Sequence, residues 1–310
     1  VPSGYVPSGY VPSGYVPSGY VPSDNRRRVS QPESGRQLGR HARGYNMARV
    51  EVVTEGLVTR VQLSRPDQHN GVDLEMIDAL LGAARRIRRD RGTRGVILHG
   101  DGPSFCAGLD IKAVMGTRMR AALAALSLWK PTANRYQRVN LCWRELSVPV
   151  IAAVHGNCFG AGLQLALGAD IRIATPDARL SVMEAKWGLV PDMGGTVLLR
   201  DVVGKDVAMD LTLSARIISG EEAARLGLIT RLADDPLRAA RELIEEYAMR
   251  SPDAVAGAKH LLHEAWTASE SRALAAERRW QRRMLLSKNQ RIATRRNTRD
   301  PEAAWEPRRW

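Results

Sequence analysis

Phenylalanine is nearly missing from this sequence: two residues in 310, with all aromatics at 5%. That leaves no run of rings on which exposed nucleic-acid bases could stack. The point matters because the chain is strongly basic, with a formal charge of +13, and a basic balance raises a nucleic-acid partner as a question. No nucleic-acid fold motif accompanies the charge, so no nucleic acid is expected. Cysteine is scarce too. Cys106, Cys142 and Cys158 form no close pair and have no metal spacing, which excludes a disulfide framework and a zinc cluster. A reducing, cytoplasmic setting is the natural reading. Between Glu145 and Asp170 there is no Asp, Glu, Lys or Arg for 24 residues, a length that could span a bilayer. Pro149, His155, Asn157, Gln164 and four glycines within it argue instead for a buried strand, turn and helix. The N-terminus lacks the basic-then-apolar pattern of a signal peptide, and no membrane association is expected.

What is present divides into three parts. Residues 1–46 form a tail: VPSGY occurs four times in perfect tandem, VPSD follows, and Arg-rich polar sequence runs on to Tyr45. Such a segment cannot bury a core and is expected to be disordered. The working part is expected to begin near Met47, ahead of the first strand-like pattern, Val50 to Val61. Residues 47–235 alternate short apolar strands with helices, an α/β pattern. Residues 236–310 read as helical throughout, with Ser251 as an N-cap and Pro252 at the first helical position.

The densest information lies between Pro149 and Thr196. Val148–Val154 reads as a buried strand, then HGNCFGAG turns into an apolar helix. Glycines at 160 and 162 allow close backbone approach. The first N–H groups of a helix have no internal partner and favour a negative oxygen. Gly95–Gly100 reads as a second strand, followed by another Gly/Pro turn and helix start, DGPSFCAGLDIK. Two such turns could each give one donor to the same oxygen, as an oxyanion hole requires. Glu184 and Asp192 follow, eight residues apart beside a second Gly turn.

FCAGLDIK (105–112), AVHGNCFGAGLQLALGADIRIA and the run from Glu184 to Thr196 resemble the crotonase superfamily, the enoyl-CoA hydratases and isomerases. RPDQHNGVDLEMIDAL (65–80) and ARIISGEEAARLGLITRL (215–232) resemble that family's first CoA-contacting loop and the segment after its core. The resemblance spans about Val50 to Arg296. It implies an α/β fold, a spiral of ββα repeats, with a C-terminal helical oligomerisation region and a homotrimer or hexamer. It implies an acyl-CoA thioester substrate and no cofactor beyond the coenzyme A moiety, with no metal. By position it makes the Ala107 and Ala161 N–H groups the oxyanion donors, Ala161 standing where Gly is common. His69, Asn70, Asp110 and Lys112 fall where CoA is contacted. Met115, Met119, Trp129 and Trp187 are candidates for the acyl pocket, the first three from a stretch, Met115 to Leu146, that reads as long helix.

The carboxylates bear on the reaction. Family hydratases use two glutamates, and where the first would stand this chain has Gln164, which can position water or substrate but cannot exchange a proton near neutral pH. Glu184 matches the second. Asp192 stands where hydratases carry Gly, at the spacing of the family's dienoyl-CoA isomerases. Double-bond isomerisation of an enoyl- or dienoyl-CoA in fatty-acid metabolism, with Glu184 and Asp192 moving protons, is therefore the expected activity. Hydration of a 2-enoyl-CoA is the alternative, and a non-catalytic acyl-CoA- or RNA-binding protein is the alternative of another class. Asp170 is expected to be structural.

Overall fold

The computed structural model describes residues 43–47, 49–116, 126, 128, 129 and 131–310. The tandem repeat and Met119 lie outside the described residues.

Ten strands build two sheets. The larger holds β1 (Arg43–Met47), β2 (Val50–Glu55), β3 (Val58–Leu63), β4 (Gly95–Gly100), β5 (Val150–Val154), β7 (Ile171–Ala174) and β10 (Arg231–Leu232), side by side in that order. β1, β2 and β3 pair antiparallel; from β3 onward every pair is parallel. The stretch expected as one strand from Val50 to Val61 is thus a hairpin, folded at Gly56, whose φ of +61° suits glycine. The strand before it begins at Arg43, within the segment expected to be tail. The smaller sheet holds β6 (Asn157–Phe159), β8 (Arg179–Ser181) and β9 (Ile218–Ser219). The chain therefore leaves β5 for β6, and β7 for β8, so each repeat gives a strand to both sheets. A bridge between Cys106 and Cys158 adds the β4 repeat to the same ladder.

β4 and β5 are buried on both faces and so read as continuous apolar runs rather than alternating ones. Val96 and Leu98 face the main core beneath the helix Leu74–Arg89, while Ile97, Ile151 and Ile173 face the helix Pro236–Ala248. Gly95 is needed there: a Cβ would fall 2.5 Å from Ile244. Asp73 caps the first of these helices, accepting from Met76 N at 2.8 Å, and Asp235 caps the second.

The helical remainder, Pro252–Ala265, Glu270–Met284 and Lys288–Thr298, has Ser251 capping and Pro252 opening the first; residues 299–310, also expected to be helical, are not. Lys259 ties it to the core. Its buried ammonium meets Asp170 at 2.8 Å and donates to the carbonyls of Trp143 and Val148 at 2.9 Å each. Asp170 also accepts from Val150 N and contacts His263, so it is structural, as expected. Burial pulls the Lys259 ammonium below the usual lysine range. A final extended segment returns to the start of the fold, where Arg308 donates to Thr93 O at 2.7 Å and to the carbonyls of Ile87 and Asp90.

The long helix expected from Met115 to Leu146 is not continuous. The helix Ile111–Met115 stops at Gly116, residues 131–134 are not helical, and Arg135–Leu141 starts anew behind an Asn134/Gln137 capping box. Pro131 explains part of this, since it has no backbone N–H to give an intrahelical bond. No helix among the described residues is long and apolar enough to cross a membrane.

Candidate active site

The turn after β5 is shaped by three glycines. Gly156 (φ +54°) lies so close to the other oxyanion turn that a Cβ would come within 2.0 Å of Pro103 O. Gly162 would clash with Cys106 O at 2.4 Å. Gly160 (φ +49°) reverses the chain, and Ala161 opens the helix Ala161–Leu167. As the first helical residue, Ala161 has an N–H with no intrahelical acceptor, and no other acceptor takes it among the described residues. Its φ is not positive, so alanine serves here without strain.

The companion donor differs from expectation. Ala107 N–H is spent on His69 O at 2.9 Å. Just beyond, Gly108 O accepts from Val72 N and Asp110 N donates to Val72 O. Alternation then turns Leu109 away from Val72, and its N–H has no acceptor among the described residues. Gly108 (φ +109°) seats this segment on the Ala161 turn, where a Cβ would lie 3.1 Å from Phe159 O. Unspent N–H groups of Leu109 and Ala161 thus lie on adjoining segments.

Glu184 opens the 3-10 turn Glu184–Trp187 and places its Oε1 over Gly160, 3.4 Å from where a Cβ would sit. Gln164 Nε2 donates to that oxygen at 2.6 Å, while Glu184 Oε2 is buried without a hydrogen-bond partner. Burial, with a smaller push from the Asp192 charge, raises the Glu184 carboxyl above the usual range. Partial desolvation raises Asp192 as well, although its side chain has one face in solvent. Neither carboxylate has an ion-pair partner among the described residues. A partly buried carboxyl that feels the charge of a second, more exposed one suits proton transfer at carbon.

Gln164 behaves differently from a water-positioning residue. It is 3% exposed, and its Oε1 accepts from Met193 N at 3.1 Å and Gly195 N at 2.8 Å. One amide therefore ties Glu184 to the turn that carries Asp192. The space beside it is apolar and about 20 Å³, room for a single water at most. The Gly194–Gly195 pair was the missed signal for this clamp: a Cβ on Gly195 would fall 2.6 Å from Gln164 Oε1.

The expected CoA contacts separate into two kinds. Asn70 is fully buried, accepts from Arg65 N at 2.8 Å and donates to Asp101 O and Ser104 O, so it braces the loop and cannot touch a ligand. Asp110 caps the helix Ile111–Met115 through Ala113 N and pairs with Arg65 at 3.1 Å; that cap, followed by Arg65, holds its carboxyl below the usual range. His69 and Lys112 are exposed and available. Arg65, which sequence reasoning passed over, organises the loop through Gly71 O, Asp73 and Asp110. Of the acyl-pocket candidates, Trp187 is exposed next to Glu184, Trp129 is 86% exposed and lines no closed pocket, and the Met115 side chain is outside what is described. The three cysteines are free and buried; burial pushes the Cys106 thiol up to about 12, so it is no nucleophile.

Comparison with known proteins agrees with this geometry. The family model for enoyl-CoA hydratase/isomerase matches residues 54–302. The mitochondrial Delta(3,5)-Delta(2,4)-dienoyl-CoA isomerase of Mus musculus is 30% identical over 239 residues, covering 74% of this chain and 73% of that protein. A Mycobacterium tuberculosis protein named "Probable enoyl-CoA hydratase EchA14" is 38% identical over 187 residues, covering 60% of this chain and 70% of its own. The crystal structure of an enoyl-CoA hydratase from Bacillus anthracis superposes with a TM-score of 0.77 at 27% identity, covering 83% of this chain and 98% of that one. With unspent N–H groups near the raised Glu184 carboxyl, and a family match over most of its length, the chain belongs to the enoyl-CoA hydratase/isomerase family of the crotonase superfamily and is an acyl-CoA enzyme, an isomerase or a hydratase.

Proposed function

We propose that the protein moves a double bond within an enoyl- or dienoyl-CoA. The observation that carries this reading is the commitment of Gln164. Its oxygen is taken by two backbone N–H groups and its nitrogen by Glu184, so position 164 offers neither an acid nor a free amide to place and deprotonate a water. The Leu109 and Ala161 N–H groups hold the thioester oxygen. One of Glu184 and Asp192 takes a proton from the acyl chain, electrons pass to that oxygen as a dienolate, and the other carboxyl returns a proton at a different carbon. Each oxyanion donor contributes about 2.7–4 kcal/mol of transition-state stabilisation. His69 and Lys112 contact the CoA moiety, and Trp187 borders the acyl chain. No cofactor is needed beyond that moiety. A homotrimer or hexamer built through the C-terminal helices, and a cytoplasmic location, complete the proposal; the three unpaired thiols support a reducing compartment.

Hydration is the second reading, favoured by the names of several relatives. The test incubates the chain with 2-enoyl-, 3-enoyl- and 3,5-dienoyl-CoA esters and follows product mass with ultraviolet absorbance. Altered absorbance at constant mass is expected, and Asp192→Asn should abolish it. A product heavier by one water, or an undiminished Asp192→Asn variant, overturns isomerisation.

A further inference from the structure

A cavity of about 670 Å³ lies at the opposite end of the large sheet from the oxyanion turns. Those turns follow the C-terminal ends of β4 and β5. The cavity is lined by Arg88 and Arg91, shortly before β4 begins, and by Ser147, shortly before β5 begins. Arg283, from the end of Glu270–Met284, and Arg309, from the returning segment, close the other side. Four guanidiniums from three separate stretches thus converge on one space. They face a single lining carboxylate, Glu145, which Arg88 engages at 3.3 Å. Arg91, Arg283 and Arg309 have no carboxylate partner among the described residues.

All four arginines are exposed, but two of them are held against rings. The Arg283 guanidinium rests over the Trp280 ring at 4.6 Å, and that of Arg309 over Trp310 at 5.1 Å. Arg309 also donates to Arg283 O. The rings are themselves fixed: Trp280 stacks on His260 at 5.5 Å and meets Trp310 edge-on at 5.8 Å. Ser147 Oγ and His260 Nε2 lie 2.9 Å apart in the wall. Stacking orders a guanidinium without using its N–H donors, which stay free for an acceptor. Nearby, burial followed by the charge of Arg91 pulls Arg308 down to about 10. Burial, then the Lys259 charge, likewise lowers His260. Cations are in excess here, and the neighbouring carboxylates are already engaged: Glu145 by Arg88, Glu264 by Arg279, and Asp253 by Arg309 N and Asn289.

We propose that this cavity is a second anion site that binds the phosphoryl groups of a small ligand, free or borne on a nucleotide, independently of the acyl-CoA site. Guanidiniums hold phosphate oxygens through paired charge-assisted hydrogen bonds, and both faces of Trp280 are already occupied, so the charges rather than ring stacking carry recognition.

The test is calorimetric titration of the whole chain with inorganic pyrophosphate and with ADP, in the presence of saturating coenzyme A. One pyrophosphate per chain is expected, with affinity falling as salt rises. The double variant R283Q/R309Q should bind at least about tenfold more weakly, with acyl-CoA turnover unchanged. Binding should also raise the pKa of His260, read by imidazole NMR. ADP binding at least as tightly assigns an ester-borne phosphate, and pyrophosphate alone assigns the free anion. Loss of pyrophosphate binding when coenzyme A is present, equal binding by R283Q/R309Q, or an unmoved His260 overturns the site. Should the double variant fail to fold, R91Q on the opposite wall gives the same comparison.

Discussion

Gln164 shows how one amide can decide what a neighbouring acid does. An amide can donate to Glu184 and accept from two backbone N–H groups at once; a carboxylate can only accept. Gln164→Glu would keep the bonds from Met193 and Gly195 but set a second acid against Glu184, where the present contact is 2.6 Å. Two acids that close share a proton, so the acid limb of the kcat/KM profile should move to higher pH than in the parent. An unmoved limb would mean that Glu184 does not titrate in the rate. In the parent itself both carboxyls lie above their ordinary values of 4.5 and 3.8, so that limb should already stand above the usual carboxylate range. The same shift affects stability. A raised acid binds its proton more readily folded than unfolded, so its contribution is complete below the unfolded pKa and is lost as pH rises through the folded one. Glu184→Gln should therefore abolish turnover yet raise the thermal midpoint at pH 7–8 by roughly 1–3 °C, with no gain near pH 4. The oxyanion turn permits an equally direct test. Ala161 is the first residue of its helix, a position where proline is tolerated, so Ala161→Pro removes the N–H while leaving the helix. A fall in kcat of about 10²–10³ is expected, with an unchanged far-ultraviolet spectrum; full activity would remove Ala161 from the mechanism.

Elements were the most legible level in the sequence. β4 was readable to the residue because both faces of a parallel strand are buried, and an unbroken apolar run announces that. The helix at Pro252 was readable because Ser-Pro is a local start signal. The middle of the chain was not: the apolar spacing from Met115 onward suited a helix, but residues 131–134 are not helical and Pro131 has no N–H to give an intrahelical bond. The site was half legible for a similar reason. Glycines and carboxylates show in a sequence, whereas the choice of Leu109 over Ala107 depends on which carbonyl arrives from elsewhere, here that of His69. Asn70 looked like a ligand contact because nothing local shows that Asp101 and Ser104 will consume its donors. Close packing between elements carries its own prediction. Gly162→Ala places a methyl against Cys106 O at 2.4 Å, and overpacking of this kind costs about 1–3 kcal/mol. Chemical denaturation should show that loss, and turnover should fall further than stability because the Ala161 N–H moves with the helix.

At the scale of the whole molecule, two charged side chains join distant parts. Lys259 fastens the C-terminal helices to the sheet, and Lys259→Met leaves Asp170 buried with only His263 and Val150 N to face it. A loss of about 3–5 kcal/mol in urea unfolding is expected, as for other broken buried pairs, and a loss under 1 kcal/mol would show that water replaces the ammonium. Arg308 fastens the other end. Its guanidinium serves carbonyls at the close of the helix Leu74–Arg89 and the one of Thr93, 215 residues earlier. A ribosome adding about 5–20 residues per second needs on the order of 10–40 s to cover that distance. For all of that time the carbonyls of Asp90 and Thr93, at the helix end that leads into β4, face water and whatever chaperone or protease finds them, until Arg308 has been made.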